Sequence, residues 1–221
     1  MPVLIKPAPQ AWIEVGGIAP WREIPVSIIG DELNRSSVMA GGLKPLGDGA
    51  PFAGLALTVD CMVGDNSALH YALTELKPGQ VIVADGRGHV ETALWGDIMH
   101  GAAKARGAVA VVIDGAIRDR AEIAASGLPA YARGIVPRGP HKGWGGSVHA
   151  PIQCGGVPVT SGDLIVGDAD GIAVIRPDQI SGLYERCLKR IAKEAEVKTQ
   201  IRAGKTTVEI FNFPPPERIG T

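Results

Sequence analysis

Residues 94–122 read LWGDIMHGAAKARGAVAVVIDGAIRDRAE, and this stretch sets the class of the chain. Asp97 follows a glycine and opens an apolar-periodic run, Ile98 to Arg106, that Gly107 stops. Ala108–Ile113 is a short apolar run rich in β-branched residues and of strand length. Asp114-Gly115 carries a turn signal, and Arg118-Asp119 sits where a second helix should begin. Helix, strand and helix in such close succession predict an α/β fold. Such folds place ligands at strand C-terminal ends and helix N-termini.

The same alternation extends on both sides. Upstream, Ala53–Met62 and Gln80–Ala84 read as buried strands, Asn66–Glu75 and Pro25–Asn34 as helices, and Thr92–Leu94 as the start of another strand. Pro78-Gly79 is a turn, and Met39–Phe52 a loop with four glycines and two prolines. Downstream, Gly127–Ala132 leads into a short strand. Gly134–Ser147, with five glycines and two prolines, predicts a long loop of the kind that carries function. Val148–Ile175 reads as closely spaced antiparallel strands, with Asp168 and Asp170-Gly171 as turn residues. Asp178–Arg202 predicts one long helix entered after Pro177 and stopped by Gly204. The expected organisation is an irregular Pro-rich arm over 1–22, one α/β catalytic domain over 23–204, and a tail over 205–221 that docks on a neighbouring subunit.

Bulk properties narrow the function classes. The chain has 221 residues, 45% of them hydrophobic, which suits one domain with a sizeable core. A formal net charge of -1 leaves no electrostatic footprint for nucleic acid or an anionic membrane. Cys61, Cys154 and Cys187 are odd in number and show no metal-site spacing, so reduced buried thiols are expected. The segment MPVLIKPAPQAW lacks the apolar core of a leader, and no apolar run is long enough to span a bilayer, so a cytoplasmic location is expected.

The polar residues of the opening stretch suggest a site. Amides at a helix start, here those of Ile98 and Met99, receive carboxylates. Arg118 offers a planar fork for a carboxylate or enolate oxygen. Asp97 and Asp119 supply hard oxygens suited to Mg²⁺ or Mn²⁺. Each residue also has an ordinary structural reading. Asp97 can be an N-cap, Asp119 to Glu122 a capping box, and Arg118 a helix-face partner of Glu122.

The spacing Asp97, twenty intervening residues, Arg118-Asp119 is similar to the D-x20-R-D signature of the class II pyruvate aldolases, the 4-hydroxy-4-methyl-2-oxoglutarate / 4-carboxy-4-hydroxy-2-oxoadipate aldolases. Those enzymes share their fold with the regulator of ribonuclease activity A. The likeness extends to Leu73-x4-Pro78-Gly79-x-Val81-x-Val83, to Val112-Ile-Asp-Gly115, and to Cys154-Gly-Gly-Val-Pro-Val159 with Gly162-Asp163 and Gly167-Asp168-x-Asp170-Gly171. It covers about Pro25 to Gly204. The resemblance implies a layered α/β/β/α sandwich of the ribonuclease-regulator-A-like (swivelling β/β/α) type with a long C-terminal helix.

It also implies roles. Asp119 would bind Mg²⁺ or Mn²⁺ directly and Asp97 through water. Arg118 would contact the keto or enolate oxygen, and the turn at Gly96, Ile98 and Met99 would hold the pyruvyl carboxylate. Glu194 from a neighbouring subunit, with Glu196 as the alternative, would approach the metal, so the active unit would be a homotrimer or a homohexamer. The substrate would be a small 4-hydroxy-2-oxo acid, and oxaloacetate decarboxylation an expected side activity. The chain departs from the family after Gly204, where KTTVEIF stands in place of an acidic, glycine-containing segment. His149 stands where the family often has asparagine. His100, His141, Arg133 and Arg138 are further polar residues near the expected site, the two arginines being candidates for a distal carboxylate. The rival readings are a non-enzymatic regulator of a ribonuclease, which by resemblance lacks the D-x20-R-D set, and a methyltransferase, for which no nucleotide-binding glycine loop follows a first strand.

Overall fold

The computed structural model describes residues 1–10, 13 and 15–220, with nothing described of the side chains at 15 and 16. Of the predicted arm, positions 11, 12 and 14 therefore lie outside the described residues, as does 221 of the tail. The arm begins with strand β1 (Val3–Ile5), followed by α1 (Val15–Ile18) and a 3₁₀ turn (Ala19–Glu23). Then come α2 (Val26–Glu32), β2 (Lys44–Pro45), β3 (Phe52–Cys61), α3 (Ser67–Glu75) and β4 (Gln80–Asp85). The stretch quoted first forms most of β5 (Ala93–Trp95), then α4 (Asp97–Ala105), β6 (Ala110–Ile117) and the start of α5 (Arg120–Ala125). β7 (Ala130–Ile135), β8 (Gly146–Val148), β9 (Ile152–Cys154), β10 (Val157–Val159), β11 (Leu164–Gly167) and β12 (Ile172–Ile175) follow. α6 (Leu183–Arg202) and α7 (Thr207–Ile210) close the chain.

Four layers result, and side-chain alternation builds them. Successive residues of a strand face opposite sides. Leu57 and Val59 of β3, Ile82 and Ala84 of β4, and Val111 and Ile113 of β6 pack with α3 residues such as Leu69 and with Met99 and Ala103 of α4. Their neighbours Ala56, Val81, Val83, Ala110 and Val112 pack the other way, on Ile152, Val157, Val159, Ile165, Ile172 and Val174. The outer side of that second β layer, Leu164, Val166, Ala173 and Ile175, is covered by Ile28 and Ile29 of α2 and by Leu183 and Cys187 of α6. The order is α/β/β/α, as the resemblance implies. Strands buried on both faces explain the unbroken apolar runs of β4 and β6.

β3, β4, β6 and β7 run parallel in the central sheet. Two strands change neighbours along their length. β3 pairs β11 over Phe52–Leu55 and β8 over Val59–Cys61. β6 pairs β4 up to Asp114, and β5 at Ala116 and Ile117. The Asp114-Gly115 signal is therefore not a turn but the irregular step between two partners. Asp114 is buried there, paired with Arg133 and accepting the Gly155 amide at 2.6 Å. Arg133 is thus an internal ion-pair partner and not a free candidate for a substrate carboxylate.

Other expectations shift in detail. The long C-terminal helix forms but starts later than the sequence predicts: Pro177–Gln179 form a 3₁₀ turn, Gly182 takes φ 67°, and α6 begins at Leu183. Gly182 adopts that left-handed conformation without a Cβ penalty. The Pro-rich arm carries β1, which pairs in parallel with β8. The Asp168–Gly171 turn forms as expected, and Asp168 Oδ2 additionally accepts the Val26 amide at 2.8 Å, satisfying the start of α2 from 142 residues away. All three cysteines are buried and unpaired. Among the described residues no helix is long and apolar enough to cross a membrane.

Candidate active site

The parallel strands deliver β5 and the end of β6 side by side, and the helix that follows each begins at the same edge. Arg118 N donates to Trp95 O at 2.9 Å, which fixes the exit of β6 against the exit of β5. Gly96, not Asp97, is the N-cap of α4, and Asp97 is its first helical residue. Asp119 is the N-cap residue of α5 but makes no cap hydrogen bond with its side chain. The capping-box reading of Asp119 to Glu122 therefore fails, and Arg118 pairs with Asp119 instead of Glu122. Asp119 Oδ2 accepts the Asp97 amide at 3.1 Å and lies 3.4 Å from Arg118 Nε.

That arrangement needs two unusual local features. Asp119 holds φ 57° and ψ 45°, a left-handed conformation that costs a residue with a Cβ about 1–3 kcal/mol. It turns the carboxylate back across the strand end toward Asp97. Gly96 is needed because a Cβ there would come within 2.6 Å of Asp119 Oδ2 and 3.1 Å of Arg118 Nε. The absent methyl makes the cradle into which the carboxylate and guanidinium fit.

A hollow of about 180 Å³ opens at this edge, lined among others by Asn66, His70, Gly96, Asp97, Ile98, Met99, Arg118 and Lys142. In the first turn of α4 the Ile98 and Met99 amides have no carbonyl one turn behind them, so they are open to an anion. Ile98 is 79% exposed at the rim, whereas Met99 is buried. Larger hollows exist beside α5 and beside α2, but they lack this convergence of Arg118, Asp97 and helix amides.

Asp97 and Asp119 are both accessible carboxylates beside Arg118, a pair of hard oxygen donors that suits a divalent ion keeping several waters. Among the described residues no group of three or more His, Cys, Asp or Glu side chains forms a metal cluster. Glu194 does not line the hollow. It sits on α6, 3.9 Å from Arg190, which in turn bonds Asp31 of α2 at 2.6 Å.

The histidines divide. His100 is buried and does not line the hollow: Trp95 Nε1 donates to its Nδ1 at 3.3 Å, and its Nε2 meets Ser126 Oγ at 2.9 Å. It ties α4 to the end of α5, and burial holds it below the ordinary imidazole value. His149 is buried at φ 63° against Ser161, with Nδ1 3.0 Å from Ser161 Oγ, and burial lowers its pKa too. His141 stacks on Trp144 with centroids 4.5 Å apart. Arg138 contributes its carbonyl to the Ala93 amide at 2.9 Å. Asn66, His70 and Lys142 were not legible as site residues. The only sequence signal for Lys142 is its place in the glycine-rich loop.

The comparisons agree with this architecture. The chain belongs to the RraA-like family described as Aldolase/RraA, whose model matches residues 26–174. It is 39% identical over 181 residues to a protein of Halalkalibacterium halodurans named "Putative 4-hydroxy-4-methyl-2-oxoglutarate aldolase", covering 82% of this chain and 86% of that one. Among solved structures it is similar to one described as the RNA-processing inhibitor RraA from Thermus thermophilis, at 29% identity and a TM-score of 0.63 over 68% of this chain and 92% of that one. Another, described as S-adenosylmethionine: 2-dimethylmenaquinone methyltransferase from Geobacillus kaustophilus HTA426, is 32% identical with a TM-score of 0.65 over 72% and 98% of the two chains.

Proposed function

We propose that the protein is a divalent-metal-dependent aldolase that cleaves a 4-hydroxy-2-oxo acid, of the 4-hydroxy-4-methyl-2-oxoglutarate or 4-carboxy-4-hydroxy-2-oxoadipate type, to pyruvate and a second carbonyl compound. The observation that carries the reading is the meeting of Arg118, Asp119 and the first turn of α4 around Gly96. Asp119 directly, and Asp97 through water, would hold Mg²⁺ or Mn²⁺, which when bound supplies a Lewis acid for the keto and carboxylate oxygens. The Ile98 and Met99 amides receive the pyruvyl carboxylate. Arg118 donates to the keto oxygen and gains strength as negative charge develops there. The C4 hydroxyl loses its proton to water, the C3–C4 bond breaks, and its electron pair passes to C3 and the C2 oxygen as an enolate. A proton then returns to C3 and pyruvate leaves. Oxaloacetate decarboxylation proceeds through the same enolate and is the expected side reaction. Glu194 from a neighbouring subunit, with Glu196 as the alternative, would complete the site in a homotrimer or homohexamer.

The alternative is a non-enzymatic regulator of ribonuclease activity that acts by protein binding, favoured by the likeness to the inhibitor from Thermus thermophilis. One experiment separates the two. Wild type with Mg²⁺ should release pyruvate from 4-hydroxy-4-methyl-2-oxoglutarate or oxaloacetate, and chelation should stop it. Arg118→Ala should lower the rate by about 100-fold or more, the scale of losing one oxyanion donor. Pyruvate formation no faster than in the Arg118→Ala variant would refute the aldolase.

A further inference from the structure

His100 stands one turn into α4, only 1% exposed, and bonds in three directions. Its backbone N–H donates to Gly96 O at 3.0 Å. Its Nδ1 receives the Trp95 indole N–H at 3.3 Å, the two rings meeting edge to face at 88°. Its Nε2 lies 2.9 Å from Ser126 Oγ, which also accepts the Leu128 amide at 3.1 Å. An indole N–H can only donate, so Nδ1 is the acceptor and the neutral ring carries its proton on Nε2, toward Ser126.

These bonds join the elements that carry the candidate site. Trp95 ends β5 and lines the hollow, and its carbonyl receives the Arg118 amide at 2.9 Å. Ser126 closes α5, the helix that Asp119 begins. Asp97 and the Ile98 and Met99 amides open α4 itself. One imidazole therefore sets α4 against the strand end that holds Arg118 and against the helix that follows Asp119. A second proton on the ring ends this arrangement, because an Nδ1–H would face the indole N–H. Burial disfavours that proton most, a hydrogen bond to the Leu128 backbone favours it, and the Lys104 charge disfavours it again, so the ring is held below the ordinary imidazole value. Lys104 of α4, whose Nζ donates to Ser126 O, is the charged group that acts on the ring. Its other partners, Trp95 of β5 and Ser126 and Leu128 after α5, are neutral.

We propose that His100 is a positioning residue for Arg118, Asp119 and the α4 amides: neutral, it accepts the Trp95 N–H and holds α4 to the end of β5; protonated on both nitrogens, it lets Trp95 go and switches the site off while the fold persists. Its effect on turnover rests on the aldolase reading, whereas the contact itself does not. The residue would act from beneath the site, since it does not line the hollow.

A pH profile is paired with a signal from the contact. Wild-type kcat/KM for pyruvate release in Mg²⁺ should fall about 10-fold or more on acidification, with a midpoint below about pH 6.5, while circular dichroism shows the fold intact. The Trp95 indole N–H resonance of ¹⁵N-labelled protein, identified by its loss in Trp95→Phe, should shift with the same midpoint. His100→Asn puts an amide oxygen where Nδ1 stands, an acceptor that does not titrate. It should keep most of the rate at neutral pH, lose the acid limb and leave the indole resonance fixed. His100→Leu fills the space without an acceptor and should lower kcat about 10-fold or more at every pH. An indole resonance that stays put while the wild-type rate falls overturns the proposal. So does His100→Leu with the wild-type rate and profile, or His100→Asn that keeps the acid limb. If His100→Leu fails to fold, His100→Asn and the wild-type spectra still decide. Wild type that releases no pyruvate at any pH overturns the aldolase reading, and the indole titration then decides whether His100 releases Trp95.

Discussion

Replacing Gly96 with alanine separates the site's chemistry from its stability. The backbone at Gly96 has φ -153° and ψ -177°, extended geometry that any residue adopts, so the substitution strains nothing locally. The added Cβ, however, would stand 2.6 Å from Asp119 Oδ2 and 3.1 Å from Arg118 Nε. Reaching ordinary contact near 3.4 Å requires the carboxylate oxygen to move by about 0.8 Å and the guanidinium by a few tenths. Asp119 Oδ2 ends its side chain, and Arg118 Nε belongs to a long, half-exposed one, so both swing away at small cost. The expected loss of stability is under about 1 kcal/mol, at the mild end of overpacking. The moving atoms are nonetheless the ones that meet the Asp97 amide and, in the proposed reaction, the substrate. Misplacement on that scale costs about 100-fold in turnover. Urea denaturation and a coupled pyruvate assay in Mg²⁺ measure the two quantities on one preparation. A Gly96→Ala protein with more than half the wild-type rate would refute the claim that the missing methyl shapes the site. A protein that fails to fold would refute the claim that the cost falls on function.

Gly101 in α4 supplies the control. A Cβ there meets nothing within 4 Å, so Gly101→Ala should raise stability by roughly 0.5–1 kcal/mol through helix propensity and leave pyruvate release unchanged. A drop in activity would mean that α4 must flex in turnover. Stability should also depend on pH through His100 and His149, both buried and both shifted below the ordinary imidazole value. Between those lowered values and about pH 6.5 the unfolded chain holds protons that the folded chain does not, so stability rises with pH in that window. The contribution is fully present above about pH 6.5 and is lost as pH falls through the folded values. Urea midpoints should fall from pH 7 to pH 5, and His100→Gln should flatten the slope; a midpoint that rises on acidification would contradict the assignment.

Much of the candidate site was legible as residue types at a spacing. Asp97, Arg118 and Asp119 stand out because each falls at a helix start after a strand, and a chain of this pattern has few ways to use such residues. Their ordinary readings were wrong in an instructive manner. Asp119 looked like a cap for its own helix, yet its carboxylate serves the amide of Asp97, 22 positions earlier. Local sequence favours the nearest hydrogen bond, and only strand order shows that a second helix start lies within reach. Asn66 and Lys142 were invisible for the same reason. They come from the start of α3 and from a loop, and they meet in the hollow because hydrogen bonds from Gly64 to Trp144 close that loop. The DG pair at Asp114 misled for another reason: its turn chemistry was real, but Arg133 and the Gly155 amide turned it into a buried step within β6.

The sequence by itself determined the alternation of strands and helices, the apolar faces, and the three residues of the signature, because these depend on periodicity and propensity within one element. The tertiary structure decided which element ends meet, that Gly96 makes room for Asp119 and Arg118, and that a buried asparagine and a loop lysine share a hollow with Arg118. Those outcomes follow from burying both faces of two stacked β layers at once, a constraint that acts between elements far apart in the chain.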